Sequence, residues 1–98
     1  MEKKLEKILK ILRKKLPDLK RKYNIASMEI FGSVLRDDFT KDSDIDILVA
    51  FEQSPSLIKF IELENYLSDL LEMKVDLVMK ESLKELIKDQ ILTEAEAV

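Results

Sequence analysis

The sequence predicts an α/β domain in which one small β-sheet is covered by helices. Three observations favour this class. Apolar residues recur at helical spacing in several segments, three short segments have the alternation or β-branched content of strands, and the two kinds of segment are interspersed along the chain. The 98 residues suffice for one domain, over 1–98, with one modest core.

The first element is an amphipathic helix predicted over residues 2–16. Its apolar positions are separated mainly by lysines: Leu5, Ile8, Leu9, Leu12 and Leu16. Pro17 then either kinks this helix or starts a second short turn. Residues 1–24 carry a net charge of +7 and the rest of the chain −10. This basic segment could contact nucleic acid or an acidic partner, but we favour a solvated helix face lying against its own acidic domain.

The following elements are three strands with helices between and after them. The strands are predicted over residues 26–31, 44–51 and 74–79. Residues 33–37 allow one short helical turn. Ser54 and Pro55 have the side chains favoured at a helix start, and the helix they open runs through about residue 71. Ser82 and Glu85 form the S-x-x-E capping box of a last helix that ends near residue 92.

The composition excludes several kinds of site. The chain has no cysteine and no histidine, which excludes disulfides, thiolate- or imidazole-bound metals and Ser-His-Asp catalysis. Its single glycine, Gly32, excludes the Rossmann fingerprint and the P-loop, since both need several glycines. Because no apolar run reaches about 18 residues and no signal-peptide pattern opens the chain, we expect a cytoplasmic protein.

Three aspartates lie where strands are usually apolar. Asp44 and Asp46 are two residues apart, so both carboxylates point to the same face, about 6.6 Å apart along the strand. Asp76 lies inside the next predicted strand. The plainer alternatives are a solvated strand start for the first two and an exposed edge for the third. If the three converge, either basic side chains or a hard dication must offset their repulsion. Oxygen-only ligands favour Mg²⁺ or Mn²⁺, and we prefer the cation.

A glycine-serine turn precedes this acidic segment. Gly32 permits close approach of a ligand to the backbone, and Ser33 offers a hydroxyl and an N–H where a phosphate could bind. Arg36, three residues on, can fork onto phosphate oxygens. The alternative for Gly32-Ser33 is an ordinary turn. Ser43 suits either nucleotide binding or the simpler role that we favour, capping the start of the strand.

Four segments together resemble the minimal nucleotidyltransferases (MNT proteins) of the DNA polymerase β-type nucleotidyltransferase superfamily. These segments are residues 31–36 (FGSVLR), 43–49 (SDIDILV), 75–78 (VDLV) and 86–95 (LIKDQILTEA). The resemblance covers nearly the whole chain. It implies the nucleotidyltransferase fold, which is an α/β fold with a small mixed sheet and a two-metal site.

The resemblance also implies roles for individual residues. Asp44 and Asp46 would ligate two Mg²⁺ ions, with Asp76 as the third metal ligand near the attacking hydroxyl. Gly32 and Ser33 would hold the triphosphate of the nucleotide. All three aspartates would be catalytic, and since no histidine is present, Asp76 is also our candidate for accepting the hydroxyl proton.

The resemblance further implies a partner. MNT proteins are commonly the antitoxins of HEPN–MNT toxin–antitoxin pairs, and members transfer AMP from ATP to a tyrosine of the HEPN ribonuclease toxin. We expect that activity here, with a HEPN partner or a second copy of the chain completing the site. Asp37 stands where the family usually has glycine. This difference favours the alternative of a non-catalytic, nucleotide-binding antitoxin that neutralises its partner by occupancy.

Overall fold

The computed structural model describes residues 4–32, 44–82 and 95–98. In chain order its elements are α1 (Lys4–Tyr23), β1 (Ile25–Phe31), β2 (Ile45–Phe51), α2 (Leu57–Leu71), β3 (Val75–Met79), a 3₁₀ turn (Lys80–Ser82) and β4 (Glu96–Ala97). The described strands form one four-stranded sheet in the order β3-β2-β1-β4. The sheet and its two helices confirm the predicted α/β class.

The sheet is mixed, as the resemblance implied. β1 pairs antiparallel with both β2 and β4, whereas β2 pairs parallel with β3. A parallel pair needs a long connection, and α2 provides it between β2 and β3. As a consequence, the start of β2, the start of β3 and the end of β1 all lie at the same end of the sheet.

Both helices contribute to one buried cluster on a single face of the sheet. Its most deeply buried members come from α1, β1, β2 and α2: Leu12, Ile30, Ile45, Ile47, Leu63 and Leu67. Because strand side chains alternate, burying Ile45 and Ile47 on this face turns the residue between them, Asp46, to the opposite face. The polar face of the sheet therefore follows directly from the packing of the core.

The first helix is longer than predicted. It does not end at residue 16 but continues through Pro17 to Tyr23 as one helix, so the residues after the proline are helical but form no separate second turn. Its apolar stripe extends to Leu19 and Tyr23, which are 3% and 4% exposed. A proline inside a helix costs about 3 kcal/mol, and the burial of two large side chains, about 1.5–3 kcal/mol each, offsets it.

The C-terminal segment differs in part from the prediction. The sequence did not predict β4, whose two residues are too few to show a pattern. The predicted last helix over 82–92 lies outside the described residues except for Ser82, which ends the 3₁₀ turn. In the described part of the chain, neither helix has the length and hydropathy needed to span a bilayer.

The C-terminus of α2 provides a test of backbone strain. Glu72 caps this helix with a left-handed backbone (φ 54°), which disfavours residues with a Cβ. We expect Glu72→Gly to stabilise the fold by about 0.5–1 kcal/mol, which raises Tm by a few degrees. Thermal unfolding followed by circular dichroism measures this. Glu72→Ala, which removes the charge but keeps the Cβ, should not match the gain, and a lower Tm for Glu72→Gly would contradict the strain argument.

Candidate active site

The three predicted aspartates lie at the end of the sheet where β2 and β3 begin. Asp46 and Asp76 are directly opposite each other in the parallel register of β2 and β3. Residues opposite each other on neighbouring strands share a face, about 4.8 Å apart between strands. Asp44 immediately precedes β2. The structure thus brings Asp76 of β3 beside Asp44 and Asp46, which the sequence had placed together on a different strand.

Asp46 is the electrostatic centre of this group. Burial, followed by the negative charges of Asp76 and Asp44, raises the pKa of Asp46 above its usual range. The Nζ of Lys74 lies 3.8 Å from Oδ2 of Asp44, but both side chains are largely exposed, so this pair contributes little. Among the described residues, no cationic side chain forms an ion pair with Asp46 or Asp76.

The donor set suits a hard divalent cation. All three side chains offer carboxylate oxygens, and the repulsion at Asp46 is of the kind that a dication relieves. Within the described residues, however, no three acidic groups already form a closed metal cage. Asp76 is exposed and Asp44 is half-exposed, so both can adjust when an ion binds. A cation here would need additional ligands, and phosphate oxygens are chemically suitable.

The structure shows a reason for glycine at position 32 that the sequence did not predict. It follows β1 directly with φ +85°, a conformation that favours glycine. A Cβ built on it would overlap the Asp46 carboxylate, since the carboxyl carbon would lie only 3.0 Å away. The sequence predicted close approach of a ligand to this glycine. In the structure it is the Asp46 side chain that lies against it, opposite Phe31 in the β1–β2 pair.

The other predicted nucleotide-binding residues belong to the segment between β1 and β2. Ser33, Arg36 and Ser43 lie outside the described residues, as does Asp37. Sequence reasoning also missed two polar residues of α2, Glu64 and Ser68, whose side chains bond to the backbone of β3 on either side of Asp76. Their only sequence signal is polar character at i and i+4 beside buried leucines.

Comparison with known families identifies the chain as a nucleotidyltransferase. The family described as nucleotidyltransferase domain matches residues 4–98, and the chain belongs to this family. Its activity is therefore that of an enzyme that transfers a nucleotidyl group.

Individual relatives make the comparison more specific. The protein adenylyltransferase MntA of Thermococcus cleftensis is 49% identical over 90 residues, covering 92% of this chain and 91% of that protein. A solved structure of a candidate minimal nucleotidyltransferase superposes with a TM-score of 0.79 at 33% identity, covering 94% of each chain. A Shewanella oneidensis MNT antitoxin, solved with its tri-AMPylated HEPN toxin, gives a TM-score of 0.60 at 28% identity, covering 96% of this chain and 67% of that chain.

Replacing Gly32 tests the close packing of Asp46. We expect Gly32→Ala to destabilise the fold by about 2 kcal/mol, because the new Cβ meets both an unfavourable φ and the carboxylate. The measurement is thermal unfolding in metal-free buffer, and the expected fall in Tm is roughly 10 °C. Asp46→Ala in the Gly32→Ala background should recover part of the loss. Strictly additive effects of the two changes would contradict the predicted overlap.

The raised pKa of Asp46 predicts a pH dependence of stability. Between the ordinary and the raised pKa, the folded chain binds more protons than the unfolded chain, so this group lowers stability as pH rises through that window. The deficit persists at neutral pH. Asp46→Asn should therefore raise Tm at pH 7–8 in EDTA, and its advantage should shrink as the pH falls through that window and vanish once the pH is below the ordinary pKa of about 4.

The exposed Glu52, just after β2, provides a matched control for this experiment. Glu52→Gln also removes one carboxylate but should leave the pH profile close to that of the wild type. An Asp46→Asn protein that is less stable than wild type at neutral pH without metal would contradict the expected repulsion.

Proposed function

We propose that this chain is a Mg²⁺-dependent adenylyltransferase that transfers AMP from ATP to a tyrosine hydroxyl of a HEPN ribonuclease toxin, and thereby acts as the antitoxin. The observation that carries the proposal is the in-register pair Asp46–Asp76, with Asp44 beside it and no paired cation on Asp46 or Asp76 among the described residues. A nucleotidyl transfer site needs such oxygen ligands. If these carboxylates had only a structural role, their mutual repulsion would destabilise the fold without any compensating interaction.

The aspartates have distinct proposed roles. Asp44 and Asp46 would hold two Mg²⁺ ions, with Mn²⁺ as an alternative, and Asp76 would be the third ligand. When bound, such ions would neutralise the triphosphate, lower the pKa of the acceptor hydroxyl and stabilise the pyrophosphate that leaves as the hydroxyl oxygen bonds to the α-phosphorus. Asp76 is exposed, so a hydroxyl on a macromolecular acceptor can reach it, and we assign it the acceptance of that proton.

The proposed nucleotide contacts come from Gly32 and from residues that follow it in the chain. Gly32 follows β1 directly and lies against the Asp46 side chain. Ser33 and Arg36 follow it in the chain, and we propose that they bind the triphosphate, with Ser43 as a further contact. The named activity of MntA from Thermococcus cleftensis and the AMPylated toxin in the Shewanella oneidensis complex support ATP as the donor and a HEPN protein as the acceptor.

The test of this function is direct transfer of label. The chain is incubated with α-³²P-ATP, Mg²⁺ and the product of the neighbouring gene, which we expect to be a HEPN protein and to become labelled. Asp46→Asn and Asp76→Asn should lower the rate by at least about 100-fold while remaining folded. Replacing the acceptor tyrosine by phenylalanine should abolish labelling. No transfer to a folded HEPN partner by the folded wild-type protein would overturn the proposal.

A second candidate function is neutralisation of the toxin by occupancy alone. The observation that favours it is that no closed metal cage is formed among the described residues. Under this alternative, the double substitution Asp44→Asn and Asp46→Asn still protects cells that express the toxin. Under the adenylyltransferase proposal, the same variant loses protection although it still binds the toxin.

A further inference from the structure

β3 is an edge strand in the described sheet, with β2 on one side only. In a parallel pair, alternate residues of a strand bond to the neighbour, and the intervening ones point away from it. The N–H of Ile45 donates to Lys74 O at 2.9 Å, which sets this alternation at the start of β3. The N–H groups of Val75 and Leu77 therefore face the open edge, where an unpaired donor must find another partner.

Two side chains of α2 satisfy these donors. Ser68 Oγ accepts a hydrogen bond from the N–H of Val75 at 3.0 Å, and Glu64 Oε2 accepts one from the N–H of Leu77 at 3.0 Å. Ser68 Oγ also donates to the backbone carbonyl of Glu64 at 3.0 Å, which fixes the hydroxyl's orientation. Both side chains are half-buried, so water replaces them poorly. The two bonds hold the backbone on both sides of Asp76.

We propose that Glu64 and Ser68 are positioning residues that keep Asp76 beside Asp46. A strand that slips by one residue turns every side chain to the other face of the sheet, so the register of β3 decides whether Asp76 reaches the acidic site at all. The buried positions Val75 and Leu77 already oppose such a slip, at 3% and 5% exposure. The bonds from α2 add a direct restraint at the same two residues. The consequence for catalysis rests on the function proposed above.

Two substitutions of Glu64 distinguish the effect of its hydrogen bond from the effect of its side-chain volume. Glu64→Gln keeps an oxygen that can accept from the N–H of Leu77, whereas Glu64→Leu keeps the bulk and removes the acceptor. Ser68→Ala is a milder change for the case in which Glu64→Leu does not fold. Glu62 lies on the same helix, exposed and paired only with Lys59 among the described residues, so Glu62→Leu is the matched control.

The readouts are amide hydrogen exchange, NMR contacts between β2 and β3, and the rate of AMP transfer. We expect Glu64→Leu to speed exchange at Leu77 by at least about 10-fold, to weaken the Asp46–Asp76 backbone contacts and to lower kcat by about 10–100-fold, the range typical of lost support for metal ligands. Ser68→Ala should act in the same direction at Val75. Glu64→Gln should stay within about three-fold of wild type, and Glu62→Leu should change none of the three readouts.

The outcomes distinguish this inference from the proposed function. If Glu64→Leu or Ser68→Ala leaves the β2–β3 contacts and the exchange at Val75 and Leu77 unchanged, the positioning role is overturned, whatever the activity. If the wild-type protein transfers no AMP, the proposed function fails, and the NMR contacts and exchange rates alone then decide whether Glu64 and Ser68 hold Asp76 in place.

Discussion

The close approach of two like charges, Asp46 and Asp76, is the constraint on which the rest of the site depends. Carboxylates opposite each other on neighbouring strands repel, and burial at Asp46 adds to the cost. The surrounding structure holds them there. Ile45 and Ile47 anchor β2 in the core, and α2 bonds to the edge of β3 around Asp76. This arrangement stabilises the folded protein only when a positive charge binds beside the two carboxylates.

Among the described elements, neither helix packs on the face of the sheet that carries Asp46 and Asp76. α1 and α2 pack against the opposite face, where the buried core residues lie. In the next row of the face that carries the aspartates, Lys80 Nζ donates to Glu29 Oε1 at 2.8 Å, and this internal pair leaves neither charge directed at the aspartates. Asp76 itself is exposed on this face.

Much of this structure follows from local sequence patterns, but the contacts that make the site do not. Alternation placed β1 and β2, and β-branched and apolar content placed β3, each to within a residue of its observed bounds. The pairing of Asp46 with Asp76 and the packing of Asp46 on Gly32 join residues 30 and 14 positions apart in the chain, and no local pattern encodes them. The sequence did not predict β4 because this strand has only two residues. The prediction ended α1 before Pro17 because proline disfavours a helix interior, whereas in the structure the burial of Leu19 and Tyr23 outweighs this local preference.

The most direct test of the central claim is a Mn²⁺ titration followed by electron paramagnetic resonance, with and without AMP-PNP. If Asp44, Asp46 and Asp76 hold dications together with a triphosphate, the wild-type protein binds Mn²⁺ much more tightly when AMP-PNP is present, and Asp46→Asn loses that binding. Wild-type protein that binds no Mn²⁺ even with AMP-PNP, or a folded Asp46→Asn variant that binds it equally well, would contradict the account.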